Sequence, residues 1–239
     1  MNFLEMVHER ILVGDGAIGT MLHAQGGKGE TCFERLNLSR PDLVLRLHCD
    51  YIAAGSQVIE TNTFGANRPR LSAAGLEDRV RDVNLSGARL ARTAAAGRDV
   101  FVAGAMGPLP RFRGDGDAPD PDEMLALFRE QACALVEGGV DLLFLETFSD
   151  LEQMKIALTA ARETGLPLIA SMAFLERGRI PGGMTVERVA LELVEAGASV
   201  VGANCGAGTL EMTRNIRRMA AVTRLPLAAY PNSGFPEYV

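Results

Sequence analysis

Short, continuous apolar runs alternate with amphipathic stretches along the whole sequence, and this alternation limits the folds open to the chain. A continuous apolar run is expected for a strand of a parallel sheet, because both faces of such a sheet are buried. Between the runs, apolar residues recur at helical spacing, as they do over residues 124–135 and 186–194. The sequence therefore predicts seven strands separated by helices, at residues 11–14, 57–60, 100–105, 140–145, 166–170, 199–202 and 225–229.

Local turn signals predict where several helices begin and end. Ser39, with Pro41 in the first turn, predicts one helix start, and Asp150, before Leu151, predicts another. Glycines predict left-handed caps at the ends of four helices, namely Gly55, Gly139, Gly165 and Gly197. This strict order of strand and helix indicates a parallel α/β fold, for which a barrel and a doubly wound sheet are both open.

Polar or glycine-rich residues follow nearly every predicted strand, and they favour the barrel. In a barrel, chemistry is spread over the loops after the strands, whereas a doubly wound sheet concentrates it at one switch point. Six of the seven predicted strands end in such residues, at 15–16, 60–63, 106–108, 146–147, 204–206 and 231–234. The first of these loops, DGAIGT, is too weak a match to the dinucleotide-binding fingerprint. We therefore predict a (β/α)8 TIM barrel.

The spacing of the strands predicts that the barrel is incomplete in this chain. Predicted strands start roughly 25 to 45 residues apart, as βα units require, so an eighth strand would begin beyond Val239. We expect one domain over residues 1–239, with seven strands and without the eighth βα unit. With 47% hydrophobic residues, the chain can bury one sizeable core.

Composition and charge exclude several classes of function. The net charge of −6, without a basic stripe, argues against nucleic-acid binding. No apolar run reaches the roughly 18 residues of a membrane span, and the N-terminus lacks the apolar region of a signal peptide. The four cysteines form no CxxC pair, which predicts a reduced, cytoplasmic protein.

Two carboxylates at predicted strand ends are candidates for binding a cationic group. Asp15 precedes Gly16 and Ala17, whose backbone N–H groups could bind a carboxylate while Asp15 binds an amine. A simple turn aspartate is the alternative. Glu146 ends a wholly apolar strand, where a carboxylate needs a partner, and a salt bridge to a loop arginine is its alternative. If Asp15 and Glu146 face each other, the pocket is anionic and suits an amine rather than a phosphate.

Cys205 ends the sixth predicted strand and is a candidate zinc ligand. A small core residue is the alternative for a free cysteine, and zinc needs three or four thiolate, imidazole or carboxylate ligands. Thr61 and Asn62 are candidates to line the same pocket by hydrogen bonding, with a satisfied polar strand end as the alternative, and Asn204 is a further candidate. The histidines lie away from the predicted strand ends and are not predicted to be ligands: His8, His23 and His48.

Five motifs occur in order at successive predicted strand ends: DGAIGT, ETNTFGAN, FLETFSD, GANCG and PNSG. Together they resemble the homocysteine S-methyltransferase family, and the resemblance runs from about Ile11 to the end of the chain. The stretch TNTFGANRPRLSAAGLED is most similar to two branches of that family. One is the N-terminal homocysteine-binding module of cobalamin-dependent methionine synthase. The other fuses this barrel to methylenetetrahydrofolate reductase.

The resemblance implies a zinc-dependent barrel that methylates the thiol of homocysteine to give methionine. In this family three cysteines hold the zinc, and Cys205 matches the first of them. The other two are adjacent in a GGCCG motif on the eighth strand, and this sequence has no such pair, so we expect the chain to be truncated before that motif and to be inactive in isolation. Asn232, in PNSG, would take the open position of the metal.

The same resemblance implies how the substrate binds. Asp15 and Glu146 would hold the amine of homocysteine, and the amides near Gly16 and Ala17 its carboxylate. The methyl donor stays open between methylcobalamin, methyltetrahydrofolate, betaine and S-methylmethionine. A fused or partner folate, cobalamin or reductase domain is a further expected partner.

Two rival functions come from other classes. A Schiff-base aldolase needs a lysine at a strand end, whereas Lys28 and Lys155 are predicted to lie in a loop and a helix. A non-catalytic, homocysteine-binding remnant is the second rival, because one thiolate cannot hold a structural zinc ion.

Overall fold

Six parallel strands form one sheet that curls into a half-barrel, consistent with a partial TIM barrel. The computed structural model describes residues 2–26, 29–110, 119–175 and 177–232. Each strand pairs with the next one along the chain, so the order in space is the order in sequence. The strands are β1 (Val58–Glu60), β2 (Phe101–Met106), β3 (Leu142–Phe148), β4 (Leu168–Met172), β5 (Val200–Gly208) and β6 (Leu227–Asn232).

Helices connect the strands, and from β2 to β6 one described α-helix lies in each connection. The two stretches with predicted helical spacing are confirmed as α7 and α9, which bury Phe128 and Leu135, and Val189 and Leu193, respectively. Among the described residues, no helix combines the length and the apolar character that a membrane crossing requires. The helices are α1 (Phe3–Glu9), α2 (Ile18–Ala24), α3 (Leu36–Ser39), α4 (Pro41–Ala53), α5 (Arg68–Ser72), α6 (Val80–Ala95), α7 (Pro121–Glu137), α8 (Leu151–Arg162), α9 (Val186–Glu195) and α10 (Thr209–Ala220).

The predicted helix boundaries are confirmed, although Ser39 itself does not cap the helix that follows it. Asp150 caps α8, because its Oδ1 accepts the backbone N–H groups of Glu152 and Gln153 at 2.9 and 3.1 Å. α4 begins at Pro41, as predicted, while Ser39 is the last residue of α3 and its hydroxyl donates to the carbonyl of Arg35. The four predicted glycine caps all have positive φ, between 72° and 109°.

The first predicted strand, residues 11–14, is the main difference between the predicted and the observed sheet. This segment forms a single bridge, between Gly14 and Val58 of β1, and is not an extended strand. In the described part of the chain no strand lies on its other side, and Ile11 and Val13 are 92% and 55% exposed. Six strands are therefore observed where seven were predicted.

Two apolar layers cover the two faces of the sheet. The larger layer lies between the strands and the surrounding helices. The smaller one fills the concave inner face near the amino ends of the strands, where Phe3 of α1 packs edge-on against Phe101 with ring centroids 5.5 Å apart. At the carboxyl ends of the strands the inner face is polar, with Glu60, Glu146 and Asn204. This polar end is where the barrel fold places its chemistry.

Candidate functional site

A cavity of about 1110 Å³ lies inside the curled sheet, between the segment after α1 and strand β6. A cavity of this size is at the upper end of what small-molecule sites occupy. All the residues predicted to bind substrate or metal line it: Asp15, Gly16, Ala17, Thr61, Asn62, Glu146, Asn204, Cys205 and Asn232. The fold therefore brings together residues that are distant in sequence.

Asp15 follows the Gly14 bridge and is fixed from two sides. Its backbone N–H donates to the carbonyl of Val58 at 3.0 Å, and its Oδ2 accepts the backbone N–H of Glu60 at 2.8 Å. Its Oδ1 is buried and has no hydrogen-bond partner among the described residues. Burial raises the pKa of Asp15 to about 8, against the lowering effect of the Glu60 N–H, and the negative charge of Glu146 adds to the rise. Asp15 thus lines the cavity and keeps one buried carboxylate oxygen without a donor.

Glu146 lies near the carboxyl end of β3, where the register of pairing with β4 shifts between Leu145 and Phe148. Its Oε2 accepts the side-chain amide of Asn204 at 3.1 Å and the hydroxyl of Thr147 at 3.4 Å. Burial raises the pKa of Glu146 to about 7. The alternative of a salt bridge does not hold within the described residues, since no arginine or lysine there pairs with Glu146.

Glu60 is a third carboxylate at this site that was not among the predicted site residues. It is the last residue of β1, it is 8% exposed, and it lines the same cavity. Its pKa lies well above the usual range, because it is buried and because Glu146 and Asp15 carry like charge close by. The sequence signal was the one used for Glu146: an acid directly after a buried apolar run. We call Asp15, Glu60 and Glu146 the carboxylate cluster.

Cys205 lies beside the carboxylate cluster, towards the end of β5, in a left-handed backbone conformation with φ of 54°. Its Sγ accepts weak hydrogen bonds from the Asn204 amide at 3.5 Å and from the Thr147 hydroxyl at 3.6 Å. Asn204 is 2% exposed, and its Oδ1 accepts the backbone N–H of Thr147 at 2.9 Å. Asn204 thereby joins the ends of β3 and β5 and orients both Glu146 and Cys205.

Thr61 and Asn62 line the cavity, but the Thr61 hydroxyl and the Asn62 amide nitrogen have protein partners. The Thr61 hydroxyl accepts the backbone N–H of Ala105 at 3.0 Å. The Asn62 side chain donates to the carbonyl of Phe33 at 2.8 Å and to Oδ1 of Asn37 at 2.9 Å. Both side chains are almost fully buried, so they shape the cavity wall through the bonds that hold it.

Tyr230 of β6 crosses the cavity below the carboxylate cluster. A Cβ atom on Gly14 would lie 2.2 Å from the Tyr230 hydroxyl oxygen, so only glycine permits this approach. The Tyr230 ring also packs against Phe144, with centroids 5.3 Å apart. Burial raises the pKa of Tyr230 well above its usual range, and the three carboxylates raise it further. Tyr230 therefore contributes a neutral hydroxyl to the floor of the polar end.

The metal site that the sequence predicts is only partly supplied by the described residues. Of the four cysteines, Cys205 alone lines the cavity. No group of three or more His, Cys, Asp and Glu side chains is arranged to hold a metal ion within the described ranges. Asn232 lies at the same cavity, while Ser233 and Gly234 of the PNSG motif fall outside the described residues. These residues do not form a complete zinc site on their own.

The lysines do not support aldolase chemistry. Lys155 lies on α8, where its ammonium pairs with Glu192 at 2.7 Å, and it is not among the residues that line the cavity. Lys28, the other lysine, falls outside the described residues.

Comparison with known proteins agrees with the resemblance noted in the sequence. Methionine synthase from Mycobacterium tuberculosis (strain ATCC 25618 / H37Rv) is 32% identical over 255 residues, and that from Mycobacterium leprae (strain TN) is 30% identical over 252. Each match covers 98% of this chain but only 21% of the relative, so the chain spans about a fifth of their length.

Solved structures show the same fold. The homocysteine methyltransferase MmuM from Escherichia coli, in its oxidized form, superposes with a TM-score of 0.83 and 25% identity, covering 98% of this chain and 87% of that one. The carboxyl transferase domain of Rhizobium etli pyruvate carboxylase, at 19% identity and a TM-score of 0.57, covers 94% of this chain and 36% of its own, and shares the fold alone. The profile of the homocysteine S-methyltransferase family matches residues 12–238. The chain belongs to the homocysteine S-methyltransferase family.

Proposed function

We propose that this chain is the homocysteine-binding part of an enzyme that methylates the thiol of homocysteine, giving methionine, with zinc as the metal. The observation that carries the proposal is a partly buried carboxylate pair, Asp15 and Glu146, in one cavity with Cys205. No described lysine or arginine forms an ion pair with either carboxylate. Buried carboxylates need a positive partner, and the ammonium group of an amino acid supplies one.

The carboxylate of homocysteine would bind the turn that follows Asp15. Within the described residues, the backbone N–H groups of Gly16 and Ala17 donate to no protein acceptor, and both residues line the cavity. Free N–H groups next to an acidic side chain suit a zwitterion, since each end of the amino acid then meets opposite charge. Thr61, Asn62 and Asn204 hold the wall around this position.

The sulfur of homocysteine would lie towards Cys205. We propose Cys205 as one zinc ligand and Asn232 as a weak ligand at the open position. Bound zinc would keep a thiol deprotonated at neutral pH, where a free thiol, with a pKa near 8.5, is mostly protonated. The described residues orient the substrate, and a full ligand set needs donors beyond them.

A homocysteine-binding chain without turnover is the second candidate function, favoured by the single thiolate in the cavity. The two candidates share the substrate and differ in methyl transfer. Methylcobalamin, methyltetrahydrofolate, betaine and S-methylmethionine are all candidate donors, and the greater length of the methionine synthases is compatible with a donor domain elsewhere in a longer protein. The free cysteines fit a reducing compartment, and we propose the cytoplasm.

Calorimetry with two thiols tests the proposal. Homocysteine and 4-mercaptobutanoate differ only in the amino group, so wild type should bind homocysteine more tightly. Glu146→Gln removes one charge at constant shape, and the Kd for homocysteine should rise about tenfold, because a hydrogen bond to a charged group contributes roughly 1.5–3 kcal/mol. Equal affinity of wild type for both thiols would contradict the proposal. Methionine formation, assayed with each donor in turn, separates the enzyme from the binding protein.

A further inference from the structure

We infer that Glu60 is the third carboxylate of the ammonium site and contacts the amino group of the substrate together with Asp15 and Glu146. This inference rests on the proposed function, because it takes homocysteine as the substrate. It adds a residue that determines specificity for a primary ammonium group.

The backbone of Glu60 is held from both sides, which gives its side chain a defined position. Its N–H donates to Oδ2 of Asp15 at 2.8 Å, and its strand pairs with β2 through the register of Glu60 with Ala103. On the other side, Val58 of the same strand forms the bridge with Gly14. A residue fixed in this way can present its carboxylate to a ligand without further ordering.

The carboxylate of Glu60 lacks the hydrogen-bond donors that its neighbours have. Glu146 accepts from Asn204 and Thr147, and Asp15 accepts from a backbone N–H. Apart from a hydrogen bond with the carboxyl group of Glu146, the Glu60 carboxyl group has no described side-chain or backbone donor, and the like charges of Glu146 and Asp15 lie close by. Its hydrogen-bonding capacity is therefore available to a ligand.

The number of acceptors matches the number of donors on the proposed ligand. A primary ammonium group carries three N–H donors. The carboxylate cluster offers the free Oδ1 of Asp15, the carboxylate of Glu60 and that of Glu146. Three like charges, one buried and two half-buried, are costly to hold together without a cation between them. An ammonium group removes this cost, whereas an uncharged or acylated amine does not.

The test measures the ratio of the Kd for 4-mercaptobutanoate to the Kd for L-homocysteine. The proteins are the whole 239-residue chain and its variants, studied metal-free with a phosphine reductant, and folding is checked by circular dichroism. In Glu60→Gln the ratio should fall about tenfold or more, while the affinity for 4-mercaptobutanoate stays within about twofold. Glu60→Asp keeps the charge but shortens the reach, so the ratio should fall by an intermediate factor.

Glu34→Gln is the matched control. Glu34 lines the same cavity, but its Oε1 already accepts the backbone N–H of Gly65 at 2.6 Å. Its replacement should leave the ratio within about twofold of wild type.

The outcomes distinguish failure of the proposed function from failure of the role of Glu60. A wild-type ratio near one means that the ammonium is not recognised, and the proposed function itself fails. A high wild-type ratio that Glu60→Gln and Glu60→Asp leave unchanged overturns only the role of Glu60. If Glu60→Gln does not fold, an unchanged ratio in Glu60→Asp overturns the inference, and a reduced ratio supports it. An equal fall in Glu34→Gln also overturns it, because general charge would then explain the effect.

Discussion

At the scale of single residues, the zinc affinity of the chain tests whether Cys205 is a zinc ligand. Cys205 is the one cysteine that lines the cavity, and the described residues offer no metal-binding group of three, so zinc should bind this chain weakly. After dialysis against metal-free buffer, the zinc content measured by mass spectrometry should be well below one ion per chain. Cys205→Ser should remove the remainder, and the exposed Cys133 provides the control in Cys133→Ser. A full equivalent of zinc that depends on Cys205 would show a ligand set outside the described residues.

The buried side chain of His48 should make the protein less stable as the pH falls. Its side chain is fully buried on α4, neither ring nitrogen has a partner among the described residues, and burial lowers its pKa to about 4. A lowered pKa means that the neutral form is favoured on folding. Its contribution to stability is therefore present above the unfolded pKa of about 6.5 and is lost as the pH falls through 4.

His48→Leu removes this titration at similar side-chain volume. Between pH 7 and pH 4, the unfolding free energy of wild type should fall by about 3 kcal/mol relative to that of the variant. The pKa values of Asp15 and Glu146 are raised, so the contribution of these two groups to stability increases as the pH falls. Both proteins contain these groups, so their contribution cancels in the difference between wild type and variant. Urea unfolding at several pH values measures it, and parallel curves for the two proteins would contradict the prediction.

Some site residues could be predicted from the sequence because their surroundings are local. Asp15, Glu146 and Cys205 each end an apolar run, and the parallel order brings such ends to one edge. Glu60 also ends an apolar run, but the sequence favours its polar neighbours Thr61 and Asn62 equally as contacts there. Their partners, Ala105, Phe33 and Asn37, lie 25 or more residues away, so only the fold shows that these two are occupied.

At the scale of secondary-structure elements, six of the predicted strands are confirmed with shifted ends, the largest shift being at β5, which ends at Gly208 and not at residue 202. A buried strand is recognisable because both of its faces are apolar. Residues 11–14 have the same composition but form only one bridge, since a strand also requires backbone partners and the described structure supplies these on one side. The helix start predicted at Ser39 and Pro41 is confirmed at Pro41, but Ser39 does not cap it, because Ser39 belongs to the preceding short helix.

Replacement of Asn62 tests whether its hydrogen bonds hold the end of β1 against the segment before α3. Asn62→Ala would leave the carbonyl of Phe33 and Oδ1 of Asn37 without their donor. Each group left unsatisfied costs about 1–3 kcal/mol, so for the two acceptors the unfolding free energy should fall by about 2–6 kcal/mol. The Kd for homocysteine should stay close to that of wild type. A large loss of affinity at unchanged stability would instead give Asn62 a direct contact with the substrate.

At the scale of the whole molecule, the sequential order of the strands separates the barrel from the alternative that the sequence left open. A doubly wound sheet reverses its strand order at the switch point, whereas β1 to β6 follow one another without reversal. The depth of the cavity could not be predicted, because it depends on contacts between distant residues. Phe3 of α1 packs on the inner face near the amino ends of the strands, and Tyr230 approaches Gly14 below the carboxylates.

The edge of the curled sheet predicts how the whole molecule behaves in solution. Ile11 and Val13 are 92% and 55% exposed beside β1, and the described residues place no strand against them. An edge with exposed apolar side chains favours pairing between chains, so sedimentation velocity should show association that increases with protein concentration. Ile11→Lys and Val13→Lys should reduce this association, because a charged edge resists pairing. Leu210 on α10 is 68% exposed but lies away from this edge, so Leu210→Lys is the control and should leave association unchanged. An equal effect of all three substitutions would attribute association to exposed apolar surface in general, and a wild-type chain that stays monomeric would show that the edge is already protected.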